Sequence, residues 1–454
     1  MKKNIIIPLL LLLLSGNFIQ AQDFVKQSEN SVVYSNIIKS CPLYPYSVVC
    51  YSRDANSGYI ELRTEGSTTR RVPVPLEYNV KDLKVFNNLV YFCGQHINQG
   101  FVGIVNLYHL VNPSVIYTNA GASYIDLGAA DVSDLEKLVV YNDNASPQNT
   151  LTADEDVVAI GKGGYQSRIN GWIVVHLKYN NHHLFNGNKT EASNVTIDIV
   201  YDFIGEANDD IQQLLLTDDY VVLVGHNPAF EHYLIHFYDK NNISSSNHPV
   251  YKFDYPPYEV LSDIKSVSLE GNNIALATLA LKDIEQHTFE IRIRNIHVSP
   301  LNMFMNNSQA LPLGEQKRDV EMAYNSDQHK LVLMLGYDVY NTSYFFEINP
   351  WALATSTSDA IYESNHQDYA AIDHANGPYY VAVYKNIWFR KKLPNNNVAS
   401  SSCYGKFNTE VTLIDNLDGK DFEPTSIQDR FFINTLGRVV DIEFITKNSE
   451  CTEE

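Results

Sequence analysis

Apolar residues in this chain come in short blocks of four to six, parted by polar turns, and no segment carries a convincing amphipathic-helix spacing. One order recurs: an Asp, a short apolar strand, a polar turn, a second apolar strand often ending in Gly, a loop, and a third strand. Asp82-Leu83-Lys84-Val85 leads through Asn87-Asn88 to Leu89-Val90-Tyr91-Phe92-Cys93-Gly94, with a third strand at Phe101-Val102-Gly103-Ile104-Val105. Asp134-Leu135 leads to Val157-Val158-Ala159-Ile160-Gly161 and then Trp172-Ile173-Val174-Val175-His176-Leu177. Asp210-Ile211 leads to Val221-Val222-Leu223-Val224-Gly225, and Asp263-Ile264 to Ile274-Ala275-Leu276-Ala277. Asp319-Val320 leads to Leu331-Val332-Leu333-Met334-Leu335-Gly336, and Asp368-Tyr369, a weaker unit, to Tyr380-Val381-Ala382-Val383-Tyr384. The marker aspartates are spaced 52, 76, 53, 56 and 49 residues apart. Polar insertions at 141–156 and 178–196 account for the long interval.

A sheet of three or four strands cannot bury both faces alone, and radial stacking solves this while leaving only short edges. The expectation is therefore an all-β chain in which residues 22–454 form a single β-propeller domain of seven blades, with six blades as the alternative. The period is near that of kelch repeats, but neither a WD nor a kelch signature is present. Strand-like residues before the first marker (47–51, 59–62) and after the sixth unit (410–414, 430–433, 439–444) are expected to build a composite closing blade shared by the two termini, which removes open edges.

The chain starts with Lys2 and Lys3, an apolar run at 5–14 and Ile19-Gln20-Ala21, the order of a secretory signal peptide over residues 1–21. That run is about half the ~20 residues of a membrane span. The expected location is outside the cytoplasm: secreted, cell-surface or periplasmic. Without the two leader lysines the chain has 31 basic and 53 acidic residues. Such a surface repels phosphate backbones and excludes nucleic acid as a natural partner. The 30 Tyr and 20 Phe suit strands. Of the five cysteines, Cys93 reads as a buried thiol in an apolar strand. Cys41 with Cys50, and Cys403 with Cys451, are candidate disulfides, and crossed pairs between the two ends remain open. No C-x-x-C spacing supports zinc.

The aspartates 82, 134, 210, 263, 319 and 368 have two readings, a turn residue bonding local backbone N–H groups or a ring of carboxylates around a channel, and the turn device is favoured. Asp154-Glu155-Asp156 and Asp209-Asp210 could lend oxygens to a structural Ca²⁺, although acidic clusters in so negative a chain are usually solvated; no other cofactor is expected. No G-x-S-x-G, H-E-x-x-H, P-loop or EF-hand pattern occurs, and no catalytic residue is assigned. His182-His183 reads as solvated loop. Trp172 reads as core, and Trp351 and Trp388 are possible sugar platforms. Two functions follow. The favoured one is a monomeric binding or scaffold module that recognises a protein or glycan through the loops of one face, extended by the two insertions. The alternative is a carbohydrate-active hydrolase or lyase with a site at the channel, for which His96, His226 and His232 are the candidates.

The Lys-Lys leader ending in Ala-Gln, followed by units of the form Asp-Leu…Val-Tyr-Phe-Cys-Gly…Gly-Phe-Val-Gly-Ile, resembles secreted β-propeller proteins of Bacteroidota, many of them adhesin-like. The resemblance implies a cell-adhesion role and carries over no catalytic residue. The chain departs from type IX secretion cargo in showing no separate C-terminal sorting domain.

Overall fold

A computed structural model describes thirty-five strands and the short turns at 57, 75–77, 97–98, 127, 217–219, 240–243 and 272. Described residues form strands and turns only, and every pairing is antiparallel. β1 is Phe24–Ser28. Six four-strand meanders follow. Sheet I is β2 (Asn36–Leu43), β3 (Ser47–Arg53), β4 (Gly58–Thr64) and β5 (Arg70–Val74). Sheet II is β6 (Tyr78–Phe86), β7 (Leu89–His96), β8 (Gln99–Asn106) and β9 (Ala122–Asp126). Sheet III is β10 (Val132–Tyr141), β11 (Glu155–Tyr165), β12 (Arg168–Tyr179) and β13 (Val195–Asp202). Sheet IV is β14 (Asp210–Leu216), β15 (Tyr220–Asn227), β16 (His232–Asp239) and β17 (Val250–Asp254). Sheet V is β18 (Val260–Glu270), β19 (Asn273–Asp283), β20 (Thr288–His297) and β21 (Phe304–Gly314). Sheet VI is β22 (Val320–Asn325), β23 (Lys330–Leu335), β24 (Thr342–Ile348) and β25 (Ser356–Tyr362). Sheet VII is β26 (Tyr369–Ala375), β27 (Tyr379–Tyr384) and β28 (Ile387–Lys392), with β1 as its fourth strand.

The rest of the chain adds a fifth strand to each sheet, in reverse order. β29 (Tyr404–Thr409) joins VI, β30 (Thr412–Ile414) joins V, β31 (Glu423–Thr425) joins IV and β32 (Arg430–Thr435) joins III. β33 (Arg438–Asp441) joins II, β34 (Ile445–Thr446) joins I and β35 (Cys451–Glu453) joins VII beside β1. Sheet VII thus combines strands from the two ends of the chain, β1 and β35, but not the strand-like residues expected to build a composite sheet. Residues 47–51 and 59–62 belong to a complete meander of their own, and β30, β32 and β33 go to three different sheets.

First strands touch one another in sequence: β2 with β6, β6 with β10, β10 with β14, β14 with β18, β18 with β22, β22 with β26, and β26 with β2. The core lies between sheets. In β7, Val90 and Phe92 pack with Val49, Tyr51 and Ile60 of sheet I, whereas Tyr91 and Cys93 pack with Leu135, Val157 and Ala159 of sheet III. In β11, Val158 and Ile160 turn the other way, onto Val221 and Leu223 of sheet IV. Burial on both faces explains why the middle strands read as unbroken apolar runs rather than alternating ones. Cys93 is a free thiol with no exposed surface, and burial pushes its pKa well up.

Several of the recurring aspartates lie beside an irregularity of the strand ladder. In six of the first strands the ladder to the second strand slips by one residue, a β-bulge. The slip follows Ile37, Val80, Leu135, Ile211, Ile264 and Tyr369. The position just before it holds Asn36, Asn79, Asp134, Asp210 and Asp263, all inside strands. Asp82 is three residues out of phase, beyond the bulge, and its Oδ2 accepts the Leu138 N–H of the next sheet at 3.0 Å. Asp319 and Asp368 lie outside the described residues. The bulge also accounts for the glycine that ends several second strands. Gly94, Gly161 and Gly225 stand opposite Val80, Leu135 and Ile211. A Cβ on Gly94 would come within 1.9 Å of the Asn79 carbonyl oxygen.

Candidate functional site

Antiparallel meanders send their first-to-second and third-to-fourth connections to one end of the sheet, and the second-to-third to the other. The connections 142–154 and 180–194 of sheet III therefore leave the same end, as expected for the two insertions. His96, His226 and His232 belong to the opposite end, beside second-to-third connections. They do not come from successive sheets. His96 ends β7 in sheet II, while His226 and His232 flank one connection of sheet IV, and sheet III stands between. His226 is buried, opposite Tyr233.

Around His96 the second-to-third connection is a two-residue turn, Ile97-Asn98. Ile97 has φ 58° and is 71 % exposed, the only exposed large hydrophobic among the described residues. A β-branched residue in the left-handed region is strained, by roughly 1–2 kcal/mol. A rigid base holds it there. The His96 ring stacks on Tyr78 with centroids 3.9 Å apart, and its Nδ1 lies 3.2 Å from Asp126 Oδ1. Tyr78 Oη donates to Asp126 Oδ2 at 3.3 Å, so one carboxylate fixes both rings. Tyr78 in turn packs on Phe101 and Tyr124, and the Leu127 N–H donates to Gly100 O at 2.9 Å. Tyr124 Oη is buried with no hydrogen-bond partner, and burial pushes its pKa well up. Chemically the corner offers an apolar tip over an imidazole oriented by a carboxylate. Among the described residues no serine, cysteine or second carboxylate is bonded to His96, so a relay has no further member.

Beside this corner, charges link sheets II and III. Lys81, the bulged residue of β6, pairs with Asp134 and lies 3.7 Å from Glu136 Oε1. Lys162 Nζ is 3.4 Å from the same oxygen and 5.4 Å above the Trp172 ring. Trp172 is buried, as its apolar strand implied. Burial raises the Asp134 pKa above 3.8, and the Lys81 hydrogen bond only partly opposes this. A raised folded pKa gives stability that is present below the unfolded value and lost as pH rises through the folded one. Asp134→Asn should therefore gain stability relative to the parent as pH climbs from 3 to 6, read by denaturant midpoints. A gain that shrinks over that range would mean that Lys81 outweighs burial.

The remaining sequence candidates are not assembled into a site. Cys50 is buried opposite Ser40, and Cys41 is opposite Val49, so the ladder sets them one place apart on a backbone whose faces alternate. Cys451 is opposite Ser28, and Cys403 lies outside the described residues. Asp156 is buried against His176, Nε2 to Oδ1 2.7 Å, rather than solvated. Among the described residues no group of metal-ligating side chains is found. Asp154, Asp209, His182, His183, Trp351 and residues 1–23 lie outside them, as does the side chain of Trp388. No described helix is long and apolar enough to cross a bilayer. The chain matches no family model and no curated protein. Sequence reasoning proposed His96 but missed Ile97 and Asp126; the only available signal was the two-residue gap between the apolar runs ending at His96 and starting at Gln99.

Proposed function

We propose that the seven sheets are the blades of a closed β-propeller, and that the protein is a secreted, monomeric binding module that holds a protein or glycan ligand at the end bearing Ile97. The cyclic order of contacts among first strands supports the propeller, as does burial of both faces of sheets II, III and IV. Export rests on the leader pattern at residues 1–21. The observation that carries the binding reading is Ile97: a strained, solvent-facing apolar residue on a rigid aromatic base costs stability and contributes nothing to the core. Strained backbone of that kind, held by a rigid surround, clusters at ligand-contacting sites.

The test is a glycan and extracellular-matrix array probed with residues 22–454, with and without chelator. Ile97→Gly should raise folding stability by about 1 kcal/mol by relieving the left-handed backbone. The same change should weaken capture of the arrayed ligand about tenfold. Unchanged capture would remove Ile97 from the binding surface. The His96–Asp126 pair is what favours the second reading, a hydrolase or lyase, and conversion of an arrayed glycan, abolished by His96→Gln, would select it.

A further inference from the structure

The geometry points to a strap: the segment 404–453 runs round the molecule against the order of the sheets and holds their outer edges together as one unit. Each of its seven strands pairs antiparallel with the fourth strand of a sheet, visiting VI, V, IV, III, II, I and VII in turn. Several are too short to hold alone: β30 and β31 have three residues each and β34 has two. What makes them act together is the length of chain between them. β29 and β30 are parted only by residues 410–411, and β32 and β33 only by 436–437. Three Cα steps span at most about 11 Å, and stacked sheets lie about 10 Å apart. Connectors this short cannot reach much farther, so sheets VI and V, like III and II, cannot splay at their outer edges while the strands stay paired. The strap also covers part of each fourth strand and leaves strands of only two to six residues as the outer edges, and short edges are poor templates for association with other chains. Stacked units otherwise feel only their neighbours; a single covalent segment across all seven couples distant ones.

The longest connector, residues 415–422, is the place to cut. A protease recognition sequence inserted between Asp418 and Gly419 of the chain 22–454 leaves every paired residue intact, and the uncut protein is the reference. Cutting should raise amide exchange about tenfold or more in the fourth strands of remote sheets, β5 and β9, as well as in β17 and β21 beside the cut. A rise confined to β17 and β21, or none, would overturn the strap. Should the insertion prevent folding, Phe432→Pro gives an independent reading, because it removes a donor from β32 alone. Faster exchange in β9 and β5 supports the strap, and faster exchange in β13 only overturns it. Neither experiment depends on what the protein binds.

Discussion

Gly161→Ala should destabilise the protein by about 3–4 kcal/mol, seen as a lower denaturant midpoint, the largest effect of any single methyl added at a described glycine. The added Cβ would sit 1.8 Å from the Asp134 carbonyl oxygen and 2.6 Å from the Leu135 Cα. Both are main-chain atoms of the bulged strand, so the only relief is to move β10 off β11. β10 cannot yield cheaply, because it also packs on sheets II and IV. Gly58→Ala is the control. Its Cβ would meet the Tyr51 hydroxyl at 2.6 Å, the far end of a side chain, and a tilt of that ring should limit the loss to about 1 kcal/mol. Equal losses at the two positions would mean that the bulge is softer than its geometry implies.

His176→Leu should cost about 3 kcal/mol. Alternation along β12 puts His176 on the side of Val174, which packs against sheet IV, and His176 and Asp156 are both buried. Without the imidazole, the Asp156 carboxylate keeps a charge in that interface, and Lys178 Nζ, 3.7 Å away and 42 % exposed, balances it less well than the buried ring does. The double variant, His176→Leu with Asp156→Leu, should recover most of the loss, since the cost lies in stranding a charge rather than in losing an attraction. A double variant as unstable as the sum of the singles would place the cost in packing instead.

The strands of this fold were legible because two-sided burial writes them as dense apolar blocks, Val157-Val158-Ala159-Ile160 and Val221-Val222-Leu223-Val224 among them. The phase of the repeat was less so. Asp82-Leu83 and Asp134-Leu135 look alike as letters, yet the bulge follows Val80 in one sheet and Leu135 in the other, because the slip belongs to the ladder and not to the dipeptide. Sheet I escaped notice for a related reason: its marker position holds Asn36. The destinations of β29 to β35 could not be read at all, since strands of two to six residues pair with partners from 43 to 427 positions away without any local pattern. At the corner, Asp126 stands thirty residues from His96, and Ile97 occupies a backbone region to which its side chain is poorly suited.

A consequence of placing the core between sheets concerns how such units can diverge. Among the described residues the core is shared between neighbouring sheets: Tyr91 is fitted by sheet III and Phe92 by sheet I. A change in one unit is therefore answered in a neighbour, and each interface settles its own fit independently of the other interfaces. Side chains drift apart from unit to unit under that regime. What the units other than sheet VI share is what the main chain imposes, a bulge in the first strand and, in sheets II, III and IV, a glycine across from it.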